Sequence, residues 1–286
     1  MRRDPIRSLF DRLARRIAYE VHRPRIFSAP HDAYLAIATL RERHAGIRAA
    51  LSASEMKVFS QNGEDGVIAE IFARIGTESR FFVEFGVEDG RECNTRFLAD
   101  VLGWGGVYFE VDDRGFQLLK ARMCNRTDIR VLQEMVTPEN VNEVFAAASI
   151  PEEFDLLSID IDGQDYWVWR ALEGFRPRVL VIEHNSTLPL GELLVEPSGH
   201  AGDGTDYWGA SLSAMEALGE SKGYRLVHTD LTGVNAFFVR SDLVAPFDEA
   251  VRHGQDPFLR GHRGAEDPLG REYQRLNATP PPSQGE

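Results

Sequence analysis

From residue 81 to residue 239 the chain alternates short apolar runs with segments of helical period, an order that few folds satisfy. Strand-like runs fall at 81–85, 106–110, 129–133, 155–160 and 178–183, and helical patterns at 92–102, 114–123, 138–147 and 164–173. Strands separated by helices in this way predict a parallel sheet covered on both faces. A helical pattern at 211–222 then precedes two more strands, at 224–228 and 234–239. Only Thr229-Asp230-Leu231-Thr232-Gly233 separates that last pair, too short for a crossover helix, so the pair reads as an antiparallel hairpin. The expected architecture is an α/β, Rossmann-like, mostly parallel sheet with an antiparallel last strand.

The flanks divide the chain into three parts. Residues 1–55 form a helical extension, with Ile6, Leu9, Phe10, Leu13, Ile17 and Val21 at helical spacing and a second helical segment at 31–50. Residues 56–243 hold the sheet, entered by a helix from Asn62 to Gly76 with Asn62 as its cap. Residues 244–286 are a C-terminal extension with short helices over 246–276 and a disordered Pro-rich tail. Within the central part, the polar stretch 186–210 reads as a lid or binding loop.

The net charge of −13 argues against nucleic acid as a partner. The charge is uneven, because residues 1–48 hold eleven Arg against five Asp or Glu. That basic segment suits a second copy of the chain, an anionic membrane surface or the acidic body itself. No apolar run is long enough to span a membrane, and the basic N-terminus lacks the apolar core of a secretory signal. With only two cysteines, Cys93 and Cys124, a reduced cytoplasmic setting is expected.

Three runs carry candidate chemistry. In Phe81-Phe82-Val83-Glu84-Phe85-Gly86-Val87-Glu88-Asp89-Gly90 an apolar strand ends in a carboxylate and two glycines, which let a backbone turn and a ligand approach. The turn is neither GxGxxG nor a P-loop, and Glu88 and Asp89 would repel a pyrophosphate. The acids suit a cofactor with a cationic end, such as S-adenosylmethionine (SAM). Glu84 would meet its amino group, Gly86 and Gly90 would admit it, and Glu110, closing the next strand, would accept from ribose hydroxyls. In the second run Asp160 and Asp162, two apart on extended chain, share one side at the carboxyl end of a strand. They can hold a cation such as Mg²⁺ or make one of them a general base. In the third, Glu183 or Asn185 can complete a metal site with Asp160 and Asp162, and His184 can serve as a base. Gln61, in Ser60-Gln61-Asn62-Gly63-Glu64-Asp65, can fold over the cofactor. Among the aromatics, Tyr207 and Trp208 are expected to bind and Trp169 to pack.

These motifs together resemble the FkbM-type group of class I SAM-dependent methyltransferases over roughly residues 58–240. Ser60–Asp65 resembles its entry motif, Val83–Gly90 its cofactor turn, Ile159–Asp165 its signature after the fourth strand, and Val181–His184 its fifth-strand ending. Asp stands at 162 and 165 where that group usually has Glu. The resemblance implies a class I methyltransferase sheet and methyl transfer to an oxygen of a sugar, glycan or natural product. Related macrocin-type enzymes imply Mg²⁺ near the acceptor. One rival reading is a glycosyltransferase using Asp160-Ile161-Asp162 as an Asp-x-Asp motif. Another is a non-catalytic scaffold that binds partners through its N-terminal helices.

Overall fold

A computed structural model describes residues 51–161, 163–200, 205–230, 232–247 and 267–276. The expected N-terminal helices, Asp162 and the Pro-rich tail lie outside the described residues. Seven strands form one sheet: β1 (Phe81–Phe85), β2 (Gly105–Phe109), β3 (Ile129–Leu132), β4 (Glu153–Ile159), β5 (Arg176–Glu183), β7 (Tyr224–Thr229) and β8 (Asn235–Arg240). Their order is β3-β2-β1-β4-β5-β8-β7. The first five are parallel, while β8 runs antiparallel to both β5 and β7. This is the α/β, Rossmann-like, mostly parallel sheet with an antiparallel last strand that the alternation predicts.

The core follows from the two-residue period of strands buried on both faces. Val83, Phe85, Phe109, Leu157 and Ile159 point to one side. There they meet Phe145 of α4 (Val141–Ala147), Trp169 of α5 (Asp165–Ala171) and Met215 of α6 (Leu212–Ser221). Phe82, Tyr108, Leu156 and Val181 point to the other. That side is covered by Ile68 of α1 (Glu64–Ile75), Phe97 of α2 (Arg96–Asp100) and Leu119 of α3 (Asp113–Arg122). Trp169 is a packing residue, as expected, with its ring 5.0 Å from that of Phe238.

Two local expectations change. Gly63, not Asn62, occupies the cap position of α1, at φ 107°. The Asn62 amide donates to Glu64 Oε2, and Asp65 turns outward from the helix to gather the amides of Val58, Phe59 and Ser60 on one oxygen. The helix expected from residue 92 starts only at Arg96, because the amides of Asn94 and Thr95 are held by Glu84. In the C-terminal extension, Gln274–Arg275 form strand β9, while residues 248–266 of the stretch expected to hold short helices lie outside the described residues. β9 pairs antiparallel with β6 (Leu194–Val195), a strand inside the insertion. No described helix is long and apolar enough to cross a membrane.

Candidate active site at the carboxyl edge of the sheet

The pairing register assembles the site. Phe85 pairs with Phe109, Glu84 with Ser158, Ile159 with Ile182, and Glu183 with Asn235. One step further along each parallel strand, Glu110, Gly86, Asp160 and Glu183 fall in a row along the carboxyl edge, with Asn235 closing it. Open α/β sheets bind their ligands along this edge.

At the β1 end, an alanine Cβ placed on Gly86 would lie 1.7 Å from the backbone oxygen of Asp160. Gly86 also sits at φ +67°, so only glycine lets the β1 turn cross the β4 end this closely. Gly90 is buried against Leu119 at the far side of the turn. Glu110 is buried; its Oε2 accepts from Glu88 N–H at 2.5 Å and its Oε1 from Asp112 N–H at 2.7 Å. Each oxygen therefore keeps a second acceptor site for a hydroxyl.

Glu84 faces inward rather than into an open cleft. Its carboxylate accepts from Asn94 N–H at 2.7 Å, Thr95 N–H at 3.1 Å and Thr95 Oγ1 at 2.6 Å. Burial pushes its carboxyl up to about 7, against these hydrogen bonds. Its observed contacts thus shape the 94–95 loop, although the sequence suggests contact with an amino group. Gln61 is exposed on the segment that Asp65 folds. Burial raises the Asp65 carboxyl to about 6.

At the β4 and β5 ends, Asp160 is half-buried at the edge. Asp165 closes the following loop, accepting from Ile161 N–H and Gly163 N–H, each at 3.0 Å. His184 is fully buried, and among the described residues neither ring nitrogen has a hydrogen-bond partner. Burial holds its pKa down near 4, so the imidazole is neutral at pH 7 but sealed from the cleft in this conformation. Asn185 fastens the insertion: its Nδ2 donates to Asp206 O (3.1 Å), Trp208 O (2.8 Å) and Tyr273 Oη (3.2 Å). Its Oδ1 accepts from Thr187. Those bonds occupy the amide that could have been a metal ligand.

Of the expected metal set, Asp160 and Glu183 stand at neighbouring strand ends and Asp162 lies outside the described residues. Among the described residues no group of three or more His, Cys, Asp or Glu could hold a metal ion. The described donors by themselves therefore do not make a Mg²⁺ site.

Two clusters escape the sequence reading. Glu64, from the entry motif, accepts from Asn235 Nδ2 at 2.8 Å, while the amide of Asn235 donates to Asp230 at 2.6 Å. Burial and the nearby Glu64 charge push the Asp230 carboxyl up to about 7. The second joins the insertion to the C-terminal segment through Glu196, His200 and Arg271. Tyr207, expected to bind a ligand, is buried with its hydroxyl on Glu272 O (3.0 Å) and its ring 4.7 Å from Tyr273. Trp208 is half-buried beside it.

No family model matches the chain, and no curated protein does. Solved structures with a similar fold include the CcbJ methyltransferase from Streptomyces caelestis. It shares 14% identity, with a TM-score of 0.40 over 67% of this chain and 96% of that one. Fibrillarin from Aeropyrum pernix, solved with natively bound S-adenosyl-L-methionine, shares 16% identity. Its TM-score is 0.37 over 57% of this chain and 66% of that one. An O-methyltransferase from Bacillus cereus in complex with SAH shares 17% identity. Its TM-score is 0.36, with coverages of 60% and 73%.

Proposed function

We propose that the chain is a SAM-dependent methyltransferase acting on a hydroxyl of a sugar, glycan or natural product. One observation carries the reading: the edge row joins a glycine-only crossing at Gly86 to a buried carboxylate, Glu110, with acceptor sites to spare. Glu110 binds ribose hydroxyls, and Gly86 and Gly90 leave room for the nucleoside. Glu84 acts by setting the 94–95 loop, and Gln61 reaches over from the segment before α1. Bound SAM supplies an electrophilic methyl group on a good leaving group. The chain then has to align the acceptor oxygen with that methyl and take its proton. We assign that work to Asp160, which stands between Gly86 and Glu183 on the edge. Asp162, its expected partner, completes the acidic pair. His184 is a base only if acceptor binding uncovers it. The insertion over 186–210 encloses the acceptor.

Calorimetry on the folded chain with SAM, with its demethylated product and with UDP-sugars tests the reading. Heat is expected with the first two alone. Glu110→Ala is expected to weaken both by about tenfold or more, since a hydrogen bond to a charged group contributes about 1.5–3 kcal/mol. Silence with SAM and its product overturns the methyltransferase reading, and heat with a UDP-sugar favours a glycosyltransferase.

A further inference from the structure

The turn that follows β1 takes the left-handed backbone conformation at every second residue. Gly86 has φ +67°, Glu88 has φ +50° and Gly90 has φ +72°. Glycine meets that demand without strain, whereas a residue with a Cβ does not. The chain therefore puts glycine at the first and last of these positions and a carboxylate at the middle one. Two other described residues with side chains share the conformation, Arg80 and Ser149. Arg80 precedes β1, at the opposite end of the sheet, and Ser149 follows α4, where a left-handed residue often ends a helix. Among the described residues, Glu88 is the one non-glycine residue that carries this strain at the carboxyl edge.

The backbone of Glu88 is fixed from two sides. Its N–H donates to Glu110 Oε2 at 2.5 Å, and its carbonyl oxygen would lie 3.1 Å from a Cβ placed on Gly115 in the first turn of α3. Its side chain is exposed, and among the described residues its carboxylate has no ion pair or hydrogen bond. The neighbouring acid differs. Asp89 is half-buried; its Oδ1 accepts from Arg91 N–H at 3.1 Å and its Oδ2 lies 3.1 Å from Arg91 Nε. Of the two acids in the turn, Glu88 is the one whose charge no described cation offsets. It is also the one tied to Glu110, the carboxylate assigned to the ribose. Backbone strain persists where the strained residue is used.

We propose that Glu88 selects the cofactor by charge: its carboxylate favours the sulfonium of SAM over the neutral thioether of the demethylated product. The proposal rests on the methyltransferase reading and names the residue that tells the two forms of the cofactor apart. They differ at sulfur by one methyl group and one positive charge. In the transfer the carbon–sulfur bond breaks and its electron pair stays on sulfur, the methyl carbon bonds to the acceptor oxygen, and the proton of that oxygen goes to the base. The attraction to Glu88 is lost with the charge. Because Glu88 favours the charged starting state, it acts on the exchange of product for SAM and not on the transfer step. An ion pair in an exposed turn is worth up to about fivefold in affinity and is screened by salt.

Calorimetry on the full chain with three probes tests this: SAM, its demethylated product, and sinefungin, which carries an ammonium on carbon where SAM carries the sulfonium. Glu88→Gln keeps the length of the side chain and removes its charge. It is expected to weaken SAM and sinefungin by about threefold to fivefold and the product by less than about 1.5-fold. At about 1 M salt the parent and Glu88→Gln are expected to converge. Glu88→Asp restores the charge and is expected to keep the parent's preference for SAM to within about twofold. The ligand-free chain gives a second readout. Glu88→Gly relieves the left-handed strain and is expected to raise the melting temperature by about 1–3 °C, while losing the preference for SAM as Glu88→Gln does. Equal weakening of all three probes, an unchanged preference in Glu88→Gln, or a Glu88→Gly chain no more stable than the parent overturns the role. Heat with SAM and with its product at an unchanged ratio removes this inference and leaves the methyltransferase reading standing; silence with every probe removes both.

Discussion

Replacing Gly86 by alanine probes the crossing on which the site is built. The added Cβ would stand 1.7 Å from the Asp160 backbone oxygen, and real Cβ atoms essentially never come within 3.0 Å of such an atom. The β1 turn and the β4 end must therefore separate by more than 1 Å. β4 is paired on both sides, to β1 and β5, so the shift strains two registers. The φ of +67° adds a penalty of about 1–2 kcal/mol for a side chain. The sum is expected to reach about 3 kcal/mol or more, in the range of substitutions that overpack a core. Gly103→Ala is the control: φ is +68° there but nothing lies within 4 Å of the added Cβ, so only the dihedral penalty applies. Thermal unfolding of the two variants and the parent, followed by far-ultraviolet circular dichroism, gives the comparison. Gly86→Ala is expected to lower the melting temperature by roughly 6–12 °C and Gly103→Ala by roughly a third to two thirds of that. Equal losses in the two variants refute the claim that β1 and β4 cross too closely for any side chain.

Two further perturbations have defined outcomes. His184 is held neutral by burial, with a pKa near 4 in the fold against 6.5 for a solvated imidazole, so its contribution is intact above pH 6.5 and is lost as pH falls toward 4. His184→Phe is expected to flatten the acid loss of stability by about 3 kcal/mol over that window, and parallel pH–stability curves for the two chains contradict this account. Asn185→Ala removes the amide that ties Asp206, Trp208 and Tyr273 together; a loss of about 2–4 kcal/mol is expected, with faster proteolysis confined to 186–210, and an unchanged cleavage pattern argues against Asn185 as the fastener.

The amino-acid sequence determined the sheet and its acidic edge. Phe82-Val83 and Leu156-Leu157 alternate between two buried faces, and that alternation is written locally, residue by residue. The chain also carries its strand-end residues, Gly86, Glu110, Asp160 and Glu183, in positions that parallel pairing brings into one row. The tertiary structure decided what those residues touch. Whether Glu84 faces a ligand or the amides of Asn94 and Thr95, and whether His184 meets the cleft or the interior, depends on how a loop closes over them. The β6–β9 pair and the Glu196–His200–Arg271 chain were equally invisible, because each joins segments about seventy to eighty residues apart that have no pattern of their own. Local periodicity reports which residues a segment must bury; only the folded chain brings distant segments together and assigns each polar atom its partner.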